Sequence, residues 1–477
     1  MSVARKPIQA NGFQVFLILL YALIVLLGIS SMLYAEDSPS LQFDLQDRGQ
    51  DGDTGEQVAP WKTVKLDPDF GGQWVVAGDI DGDRQTEIVS AENFNEGDVH
   101  YTSSAAAQKL DGSVLWRWGD PAIGRKNWHH DVALQLHDWD GDGQLEVVLA
   151  TKGALVELNG ATGEEKRRIA IPEEATDCLV FCNLSGNIIP GSPPLKGGRG
   201  DVTSATTRPT DVLVKDRYRR IYAYDATGKL LWEVKDPGGR RTAHQPVPVD
   251  VNGDGRDEIM AGYAMLDAQG QVLWTYKSNK VDETKGHLDC MRVAQRGVKP
   301  EDFRLAITCC GANNLAMLDG NGKILWEVPG EHFESIDIGR VFPNVPGPQI
   351  IVDIDHREDG PVWIFDEKGQ LLGRIVTDYS RHHALVDWDG DGNDEIVVGH
   401  NAALYSHQGK RIATLIADPA EDITKSERSL AIGDIDGDGL PDILLITPET
   451  VQIYRNPATN KPTNPIPLGT EPNFTLY

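Results

Sequence analysis

A strand–acidic loop–strand unit that recurs along the chain constrains the fold more than any other feature of this sequence. The clearest copy is Trp128–Ala150, which reads WHHDVALQLHDWDGDGQLEVVLA. His130–Leu136 and Glu146–Ala150 show the alternation and β-branched content that are typical of strands. The acidic loop between them contains glycines, which permit a tight bend. The unit therefore predicts two adjacent strands joined by a loop that is rich in carboxylates.

The copies of this unit can be counted as first strands of a larger repeat. First strands that lead into an acidic loop occur at Trp74–Glu87, His130–Glu146, His244–Glu258, His382–Glu395 and Ser429–Asp442. Degenerate first strands without the acids occur at Asp177–Asn183, His287–Ala294 and His332–Ile338. Hairpins with a glycine turn, several of them closed by a tryptophan, alternate with these first strands. Each repeat is therefore predicted to be a four-stranded antiparallel unit of about 45 residues.

A single unit of this kind cannot bury both of its faces, so such units close radially. Eight first strands predict an all-β, eight-bladed β-propeller over 61–477, with seven blades as the alternative count. Trp61–Leu66 is a candidate for an additional strand that joins the last blade and closes the ring. A Pro- and Gly-rich insertion at 184–209 is predicted to be a loop in the third blade.

The acidic loops have the donor pattern of a calcium site. Side-chain oxygens recur at loop positions 1, 3, 5 and 9, and Ca²⁺ prefers oxygen ligands. The candidate ligands are Asp79, Asp81, Asp83 and Glu87; Asp138, Asp140, Asp142 and Glu146; Asp250, Asn252, Asp254 and Glu258; Asp387, Asp389, Asp391 and Glu395; and Asp434, Asp436, Asp438 and Asp442. The loops resemble the FG-GAP/VCBS repeats of integrin-like propellers, with Asn252 and Asp442 as departures from the pattern. This resemblance implies that Ca²⁺ stabilises the propeller.

Histidines concentrate at the opposite ends of the first strands. Seven of the 12 histidines lie in the junctions that precede these strands, and several arginines and lysines lie beside them. Because all first strands begin at the same face of a propeller, these residues are predicted to surround one mouth of the central channel. The acidic loops belong to the other face. The mouth is therefore expected to suit an anionic ligand, although the chain as a whole has a net charge of −27.

Imidazole, phenol and guanidinium groups together suit β-elimination at a uronic acid. An arginine neutralises the carboxylate, which acidifies the neighbouring C–H, and histidine or tyrosine transfers protons. The candidates are His130, His244 and His287 for proton transfer, Arg241 and Arg381 for the carboxylate, and Tyr379 as an alternative acid or base. The arrangement looks like that of propeller polysaccharide lyases acting on rhamnogalacturonan or ulvan. The alternative is a non-catalytic adhesion or scaffold propeller that binds carbohydrate or protein.

The N-terminal segment predicts export. Arg5 and Lys6 precede an apolar run, Phe13–Tyr34, which is long enough to span a bilayer. Residues 1–35 are therefore predicted to be a signal peptide or an uncleaved membrane anchor, and 36–60 a flexible linker. The propeller would then be extracytoplasmic, either anchored or secreted. The acidic net charge argues against nucleic acid as a partner.

The cysteines leave two interpretations open. The five cysteines have no zinc-site spacing along the chain. Cys290 and Cys309 lie on successive predicted strands, so a cross-strand disulfide and a pair of buried thiols are both compatible with the sequence.

Overall fold

The computed structural model describes residues 43–46, 55–72, 74–97, 99–124, 133–186, 209–354, 362–376, 383–418 and 428–460. These residues form eight separate sheets, and consecutive sheets pack side by side as the blades of a propeller. The predicted eight-bladed, all-β fold is thus confirmed. Helical structure within the described ranges is confined to the short helix α1 (Pro121–Gly124) and two 3-10 turns, Pro237–Gly239 and Pro300–Asp302.

The strands follow the predicted repeat. Three precede the first blade: β1 (Phe43–Gln46), β2 (Glu56–Val58) and β3 (Lys62–Lys65). Blades 1 and 2 contain β4 (Trp74–Gly78), β5 (Glu87–Glu96), β6 (Val99–Lys109), β7 (Val114–Gly119), β8 (Leu134–His137), β9 (Glu146–Thr151), β10 (Ala154–Asn159) and β11 (Glu165–Ala170). Blades 3 and 4 contain β12 (Leu179–Cys182), β13 (Asp211–Lys215), β14 (Arg220–Tyr224), β15 (Leu230–Lys235), β16 (Thr242–Val249), β17 (Glu258–Gly262), β18 (Ala264–Leu266) and β19 (Val272–Thr275).

The second half of the ring repeats the pattern. Blades 5 and 6 contain β20 (His287–Gln295), β21 (Arg304–Cys310), β22 (Asn314–Leu318), β23 (Ile324–Pro329), β24 (Phe333–Gly339), β25 (Gln349–Ile354), β26 (Val362–Phe365) and β27 (Leu371–Val376). Blades 7 and 8 contain β28 (His383–Val386), β29 (Glu395–Val398), β30 (Ala403–Tyr405), β31 (Arg411–Leu415), β32 (Ser429–Gly433), β33 (Asp442–Ile446) and β34 (Thr450–Tyr454). Blade 8 is completed by β3, which pairs antiparallel with β34, so the strand predicted within Trp61–Leu66 does close the ring.

Burial explains the apolar character of the inner strands. The second strands β9 and β17 are almost wholly buried because neighbouring blades cover both of their faces. One apolar cluster, for example, joins Trp74 and Val89 of blade 1 to Leu134 and Val147 of blade 2. The outer strand β15 is instead mostly exposed. The first strands of successive blades contact one another and form the inner ring.

The closing tryptophan of one blade packs against the turn glycine of the next blade. The Trp116 indole donates a hydrogen bond to the Gly160 carbonyl in the turn of the next blade, 2.6 Å away. The backbone of Gly163 has a positive φ, and a Cβ there would meet the Trp116 ring at 2.6 Å. The same arrangement recurs at three more pairs of blades, through Trp232 and Gly270, Trp274 and Gly322, and Trp326 and Gly369. Glycine is required because it both adopts the left-handed conformation and leaves room for the indole.

The structure adds detail to the linker segment and to the cysteines. The predicted flexible linker contains β1 and β2, which pair in parallel with the outer strands β27 and β31. Cys290 and Cys309 are buried free thiols, which is one of the two alternatives that the sequence left open. Cys290 packs between blades 5 and 6, whereas Cys309 packs between blades 4 and 5. Their side chains lie on opposite faces of the same sheet.

Some predicted segments fall outside the described residues. The apolar run Phe13–Tyr34 is among them, so its helix stays a prediction, and so is most of the insertion at 184–209, which joins β12 to β13. Within the described ranges, no helix has the length and apolar character needed to cross a membrane.

Candidate functional site

Two of the residues predicted for proton transfer come together at the channel mouth. His244 lies near the start of β16 and His287 opens β20, and both strands belong to the inner ring. The two imidazole rings are 4.6 Å apart, measured between centroids. Asp289 follows two positions after His287, and its Oδ1 lies 3.1 Å from His287 Nε2 and 3.7 Å from His244 Nε2. All three side chains are largely buried, so the carboxylate acts on the imidazoles at low local dielectric.

A tyrosine and two arginines complete this cluster. Tyr218 lies in the turn between β13 and β14, with its ring centroid 4.7 Å from that of His287 and 5.7 Å from that of His244. The guanidinium carbons of Arg217 and Arg241 lie 4.9 and 5.3 Å from the Tyr218 ring centroid. The phenol is therefore surrounded by two imidazoles and two cations. We call Arg217, Tyr218, Arg241, His244, His287 and Asp289 the mouth cluster.

Arg217 is held by a buried ionic network. Asp177 pairs with the fully buried Lys215, whose Nζ lies 2.8 Å from Asp177 Oδ2, and with His100 on its other oxygen. Arg217 Nη1 lies 3.7 Å from Asp177 Oδ1 and 3.4 Å from the His100 ring nitrogens. These contacts join the β5–β6 hairpin of blade 1 to blade 3. They hold the guanidinium group of Arg217 in place beside the Tyr218 ring.

A second group of titratable side chains lies next to the mouth cluster and shares Asp289 with it. His332 Nε2 is 4.0 Å from Asp289 Oδ2 and 3.2 Å from Glu334 Oε1. Hydrogen bonds with Cys310 and Glu334 raise the pKa of His332 to about 11, although partial burial opposes this. Burial raises the pKa of the Cys310 thiol, and its hydrogen bond with His332 acts in the opposite direction. A thiol, an imidazole and two carboxylates thus meet where blade 5 contacts blade 6.

Of the other predicted site residues, Arg241 belongs to the mouth cluster. His130, Tyr379 and Arg381 lie outside the described residues. Sequence reasoning missed Arg217 and Tyr218 because they follow a second strand, whereas the search covered only the junctions before first strands. The basic run around Tyr218, KDRYRR, was the available signal.

The acidic loops lie at the opposite ends of the inner strands and share one geometry. Asp138 accepts hydrogen bonds from the backbone N–H groups of Gly141 and Gly143, and Glu146 accepts one from that of Trp139. In the other four loops, the backbone N–H of the second loop residue donates an equivalent hydrogen bond to Glu87, Glu258, Glu395 or Asp442. Burial, with neighbouring carboxylates, raises the pKa of Glu87, Glu258 and Glu395 to about 7 and that of Asp442 to about 6.

The loop oxygens fit a hard cation. Within each of three loops, carboxylate oxygens lie within 4.8 Å of one another. The three sets are Asp79, Asp81 and Glu87; Asp138, Asp140 and Glu146; and Asp387, Asp389 and Glu395. Buried oxygens of Glu87, Asp387 and Asp434 accept no hydrogen bond from the described part of the chain. Such oxygens retain lone pairs that Ca²⁺ would use. The ion would supply positive charge and hold the loop together, and the residues themselves position it.

Two loops also contain a lysine. Lys109 Nζ lies 2.9 Å from Asp81 Oδ2 and 2.8 Å from Asp83 Oδ2. Lys166 Nζ lies 2.6 Å from Asp140 Oδ2 and 2.8 Å from Glu146 Oε1. In blades 1 and 2 an ammonium group therefore occupies part of the volume where a cation would bind.

The mouth cluster combines the groups needed for proton transfer next to a bound carboxylate. The two guanidinium groups can neutralise an anion, while imidazole and phenol can accept or donate protons. The acidic loops contain carboxylates but no imidazole or phenol groups. The mouth is consequently the better candidate for catalysis.

Comparison with known proteins gives a family match over the second half of the chain. The family model described as rhamnogalacturonan lyase family 11, C-terminal domain, matches residues 220–464. A model described as outer membrane protein assembly factor BamB matches residues 102–335. The first match includes Arg241, His244, His287 and Asp289 of the mouth cluster.

Two curated relatives come from Bacillus subtilis (strain 168). The chain is 28% identical over 375 residues to rhamnogalacturonan exolyase YesX, with 66% of this chain and 57% of YesX covered. It is 25% identical over 465 residues to rhamnogalacturonan endolyase YesW, with 83% of this chain and 71% of YesW covered. The chain thus spans 57% of the length of the first of these relatives.

Solved structures support the fold. The structure of the Bacillus licheniformis rhamnogalacturonan lyase PL11 superposes with a TM-score of 0.60 at 19% identity, covering 87% of this chain and 79% of that one. The structure of YesW superposes with a TM-score of 0.59 at 20% identity, covering 84% and 76% of the two chains.

Proposed function

The chain belongs to the family defined by the C-terminal domain of family 11 rhamnogalacturonan lyases, and we propose that it cleaves rhamnogalacturonan by β-elimination at the mouth cluster. The observation that carries this proposal is the convergence of Tyr218, His244 and His287 beside Arg217 and Arg241. The names of YesX and YesW support the choice of polymer.

In the proposed reaction, the two arginines bind the carboxylate of a galacturonate residue. Neutralising that carboxylate stabilises the negative charge that develops when the C5 proton leaves. His287, oriented by Asp289, accepts this proton, and the C4–O4 bond breaks as the C4=C5 double bond forms. Tyr218 donates a proton to the departing oxygen, with His244 as the neighbouring group that can return it. Both proton transfers therefore use groups that lie within one cluster.

A depression beside the cluster supports a polymeric substrate. It has a volume of about 300 Å³ and is lined in part by Lys280, Lys285 and Gly311. Lys285 is two residues before His287, and Gly311 follows Cys310, so the depression adjoins the mouth. We assign it to a further sugar unit of the same chain.

We further propose that Ca²⁺ stabilises the acidic loops and that the propeller functions outside the cytoplasm. Carboxylate convergence supports the first proposal, as does the resemblance of the loops to FG-GAP/VCBS repeats. The basic and apolar N-terminal segment supports the second. The same segment would attach the protein to a membrane if it is retained.

The decisive test is the formation of unsaturated uronide from purified rhamnogalacturonan, followed by its near-ultraviolet absorbance. Homogalacturonan and ulvan serve as comparison substrates. We expect product from the wild type, and losses of at least about 100-fold in kcat for His287→Gln and Tyr218→Phe. Product from ulvan alone would change the assigned substrate.

The matched control is His407→Gln, because His407 lies in the hairpin turn after β30, at the face of the acidic loops. This variant should retain full activity. An inactive wild type on every uronide polymer would favour the adhesion or scaffold interpretation. Equal losses in His407→Gln and His287→Gln would show that the mouth has been misassigned.

A further inference from the structure

We propose that Lys215, acting through Asp177, keeps the positive charge of Arg217 available to the carboxylate of the substrate. Lys215 is a positioning residue, because its side chain is fully buried and cannot contact the substrate. The inference rests on the proposed β-elimination, in which Arg217 binds a galacturonate carboxylate. It adds to that reaction the residue that sets the charge around the arginine.

Backbone pairing places Asp177 beside Lys215. The Asp177 N–H donates a hydrogen bond of 3.0 Å to the Lys215 carbonyl. Lys215 is the last residue of β13, and Arg217 follows it by two positions. The Lys215 ammonium group donates one hydrogen bond to Asp177 Oδ2 and another to the backbone carbonyl of Arg217, each 2.8 Å long. The lysine therefore contacts both the carboxylate and the main chain of the arginine.

The two oxygens of Asp177 have different partners. Lys215 holds Oδ2, whereas Oδ1 pairs with His100 Nδ1 and lies 3.7 Å from Arg217 Nη1. The Thr176 hydroxyl donates a hydrogen bond to the His100 carbonyl, which fixes the β5–β6 hairpin against this carboxylate. Asp177 is closer to the lysine than to the arginine. It therefore orients Arg217 more than it neutralises it.

Charge balance gives these contacts a functional meaning. One carboxylate faces two cationic side chains, and the His100 imidazole adds no negative charge. Because the Lys215 and Asp177 side chains are 0% and 1% exposed, solvent screens their attraction little. Lys215 therefore neutralises Asp177. Without the lysine, Asp177 and Arg217 would form a pair of zero net charge, which would attract an anion less strongly.

The test compares a charged ligand with its neutral counterpart. Galacturonosyl-rhamnose suits this purpose, because its galacturonate has no sugar on O4 and so cannot be cleaved by elimination. Calorimetry gives the Kd of this disaccharide and of its methyl ester, and the ratio of the two values measures the preference for the carboxylate. We expect Lys215→Met to reduce this preference by about tenfold. A purely structural effect would weaken the binding of both ligands alike.

A double substitution tests the charge balance itself. Asp177→Asn combined with Lys215→Met removes the buried carboxylate together with its counter-ion, so the preference should return to within about twofold of wild type. A double variant with a preference as low as that of Lys215→Met would overturn the proposal, and so would a wild type that binds both ligands equally. The matched control is Lys235→Met, which removes the same charge from an exposed position on the outer strand of the same blade. It should leave the preference unchanged.

Circular dichroism verifies that each variant is folded. If Lys215→Met does not fold, Asp177→Asn serves as the second variant. It retains both cations without the carboxylate, so its preference should be at least that of wild type, and a smaller preference would overturn the proposal. The rhamnogalacturonan cleavage assay separates this inference from the proposed function. An inactive wild type overturns both, whereas an active wild type with an unchanged preference in Lys215→Met overturns only the role of Lys215.

Discussion

His383 differs from the imidazoles of the mouth cluster because its side chain is completely buried. Its Nδ1 lies 3.5 Å from Asp353 Oδ2, and its Nε2 lies 3.7 Å from Asp337 Oδ2. Burial alone would lower the pKa of His383, but the hydrogen bond with Asp353 and the charges of Asp353 and Asp337 raise it above its ordinary value of 6.5. The folded protein thus stabilises the imidazolium, which links blade 7 to blade 6.

This raised pKa predicts how His383 contributes to stability as pH changes. Its contribution is fully present below the unfolded pKa of 6.5 and declines as pH rises through the higher folded pKa. His383→Gln removes the charge from between two carboxylates, and it should lower the melting temperature by about 2–4 °C at mildly acidic pH. The difference from wild type should shrink at alkaline pH. Thermal melts across this pH range measure it.

The Asp353→Asn background provides the control, because it removes the carboxylate that accounts for most of the upward shift. In that background the pH dependence of the His383→Gln effect should be reduced. A difference that grows with rising pH would contradict the assigned charge state.

Residue-level prediction from the sequence succeeded only where the repeat supplied a register. His244 and His287 could be expected at one mouth because both begin first strands. Tyr218 lies just beyond the end of a second strand, and Cys310 is the last residue of one. No repeated sequence pattern fixes the orientation of side chains at these positions. Their proximity depends on how neighbouring blades pack, which the sequence of one blade does not specify.

At the level of elements, a lysine would compete with the proposed calcium ion in two of the acidic loops. Lys166 neutralises Asp140 and Glu146 when no metal is bound, but an ion bound to the same oxygens would have to displace its ammonium group. The lysine therefore stabilises the loop in the absence of metal and would disfavour binding of the proposed calcium ion.

Replacing Lys166 with Met separates these two effects. Without calcium, Lys166→Met should lower the melting temperature by about 1–3 °C, because the carboxylates lose their cation. With calcium, the variant should gain more stability than the wild type, since no ammonium must be displaced. Melts in EDTA and in calcium measure both differences. Lys152→Met is a suitable control, because Lys152 pairs with the exposed Glu173 and not with a loop acid. A calcium increment equal to that of wild type would exclude competition at this loop.

The strand pattern of each blade could be predicted because the glycine turns and tryptophans recur with the repeat. The physical reason for their recurrence, an indole that packs over the next blade's turn glycine, required the structure. The cysteine pairing could not be decided from sequence. Which face of the sheet each cysteine occupies depends on the irregularity in the β20–β21 register between Leu288 and Met291.

On the scale of the whole molecule, the ring is closed by a strand from the N-terminal side of the first blade. β3 completes blade 8, and Val64 packs with Val75 and Ile88 of blade 1 and with Val451 and Ile453 of blade 8. The sequence could predict this closing strand because the eighth repeat lacked a clear outer hairpin. It did not predict β1 and β2. Apolar and polar residues alternate in β1, but it is only four residues long, and both strands pair in parallel with distant blades, which the local sequence does not specify.

Ring closure predicts that a single change in β3 affects the entire propeller. Val64 is 1% exposed, so Val64→Asp would bury a carboxylate within the apolar cluster that joins blades 8 and 1. We expect a loss of about 3 kcal/mol in the free energy of unfolding, because the charge cannot be solvated unless the strand detaches. Lys65→Asp, next to it on the exposed face of the same strand, should change stability by less than about 0.5 kcal/mol. Chemical denaturation measures both values, and limited proteolysis tests whether β3 has detached. If both variants unfold as the wild type does, β3 contributes nothing to closure and the ring must be held by contacts between the other blades.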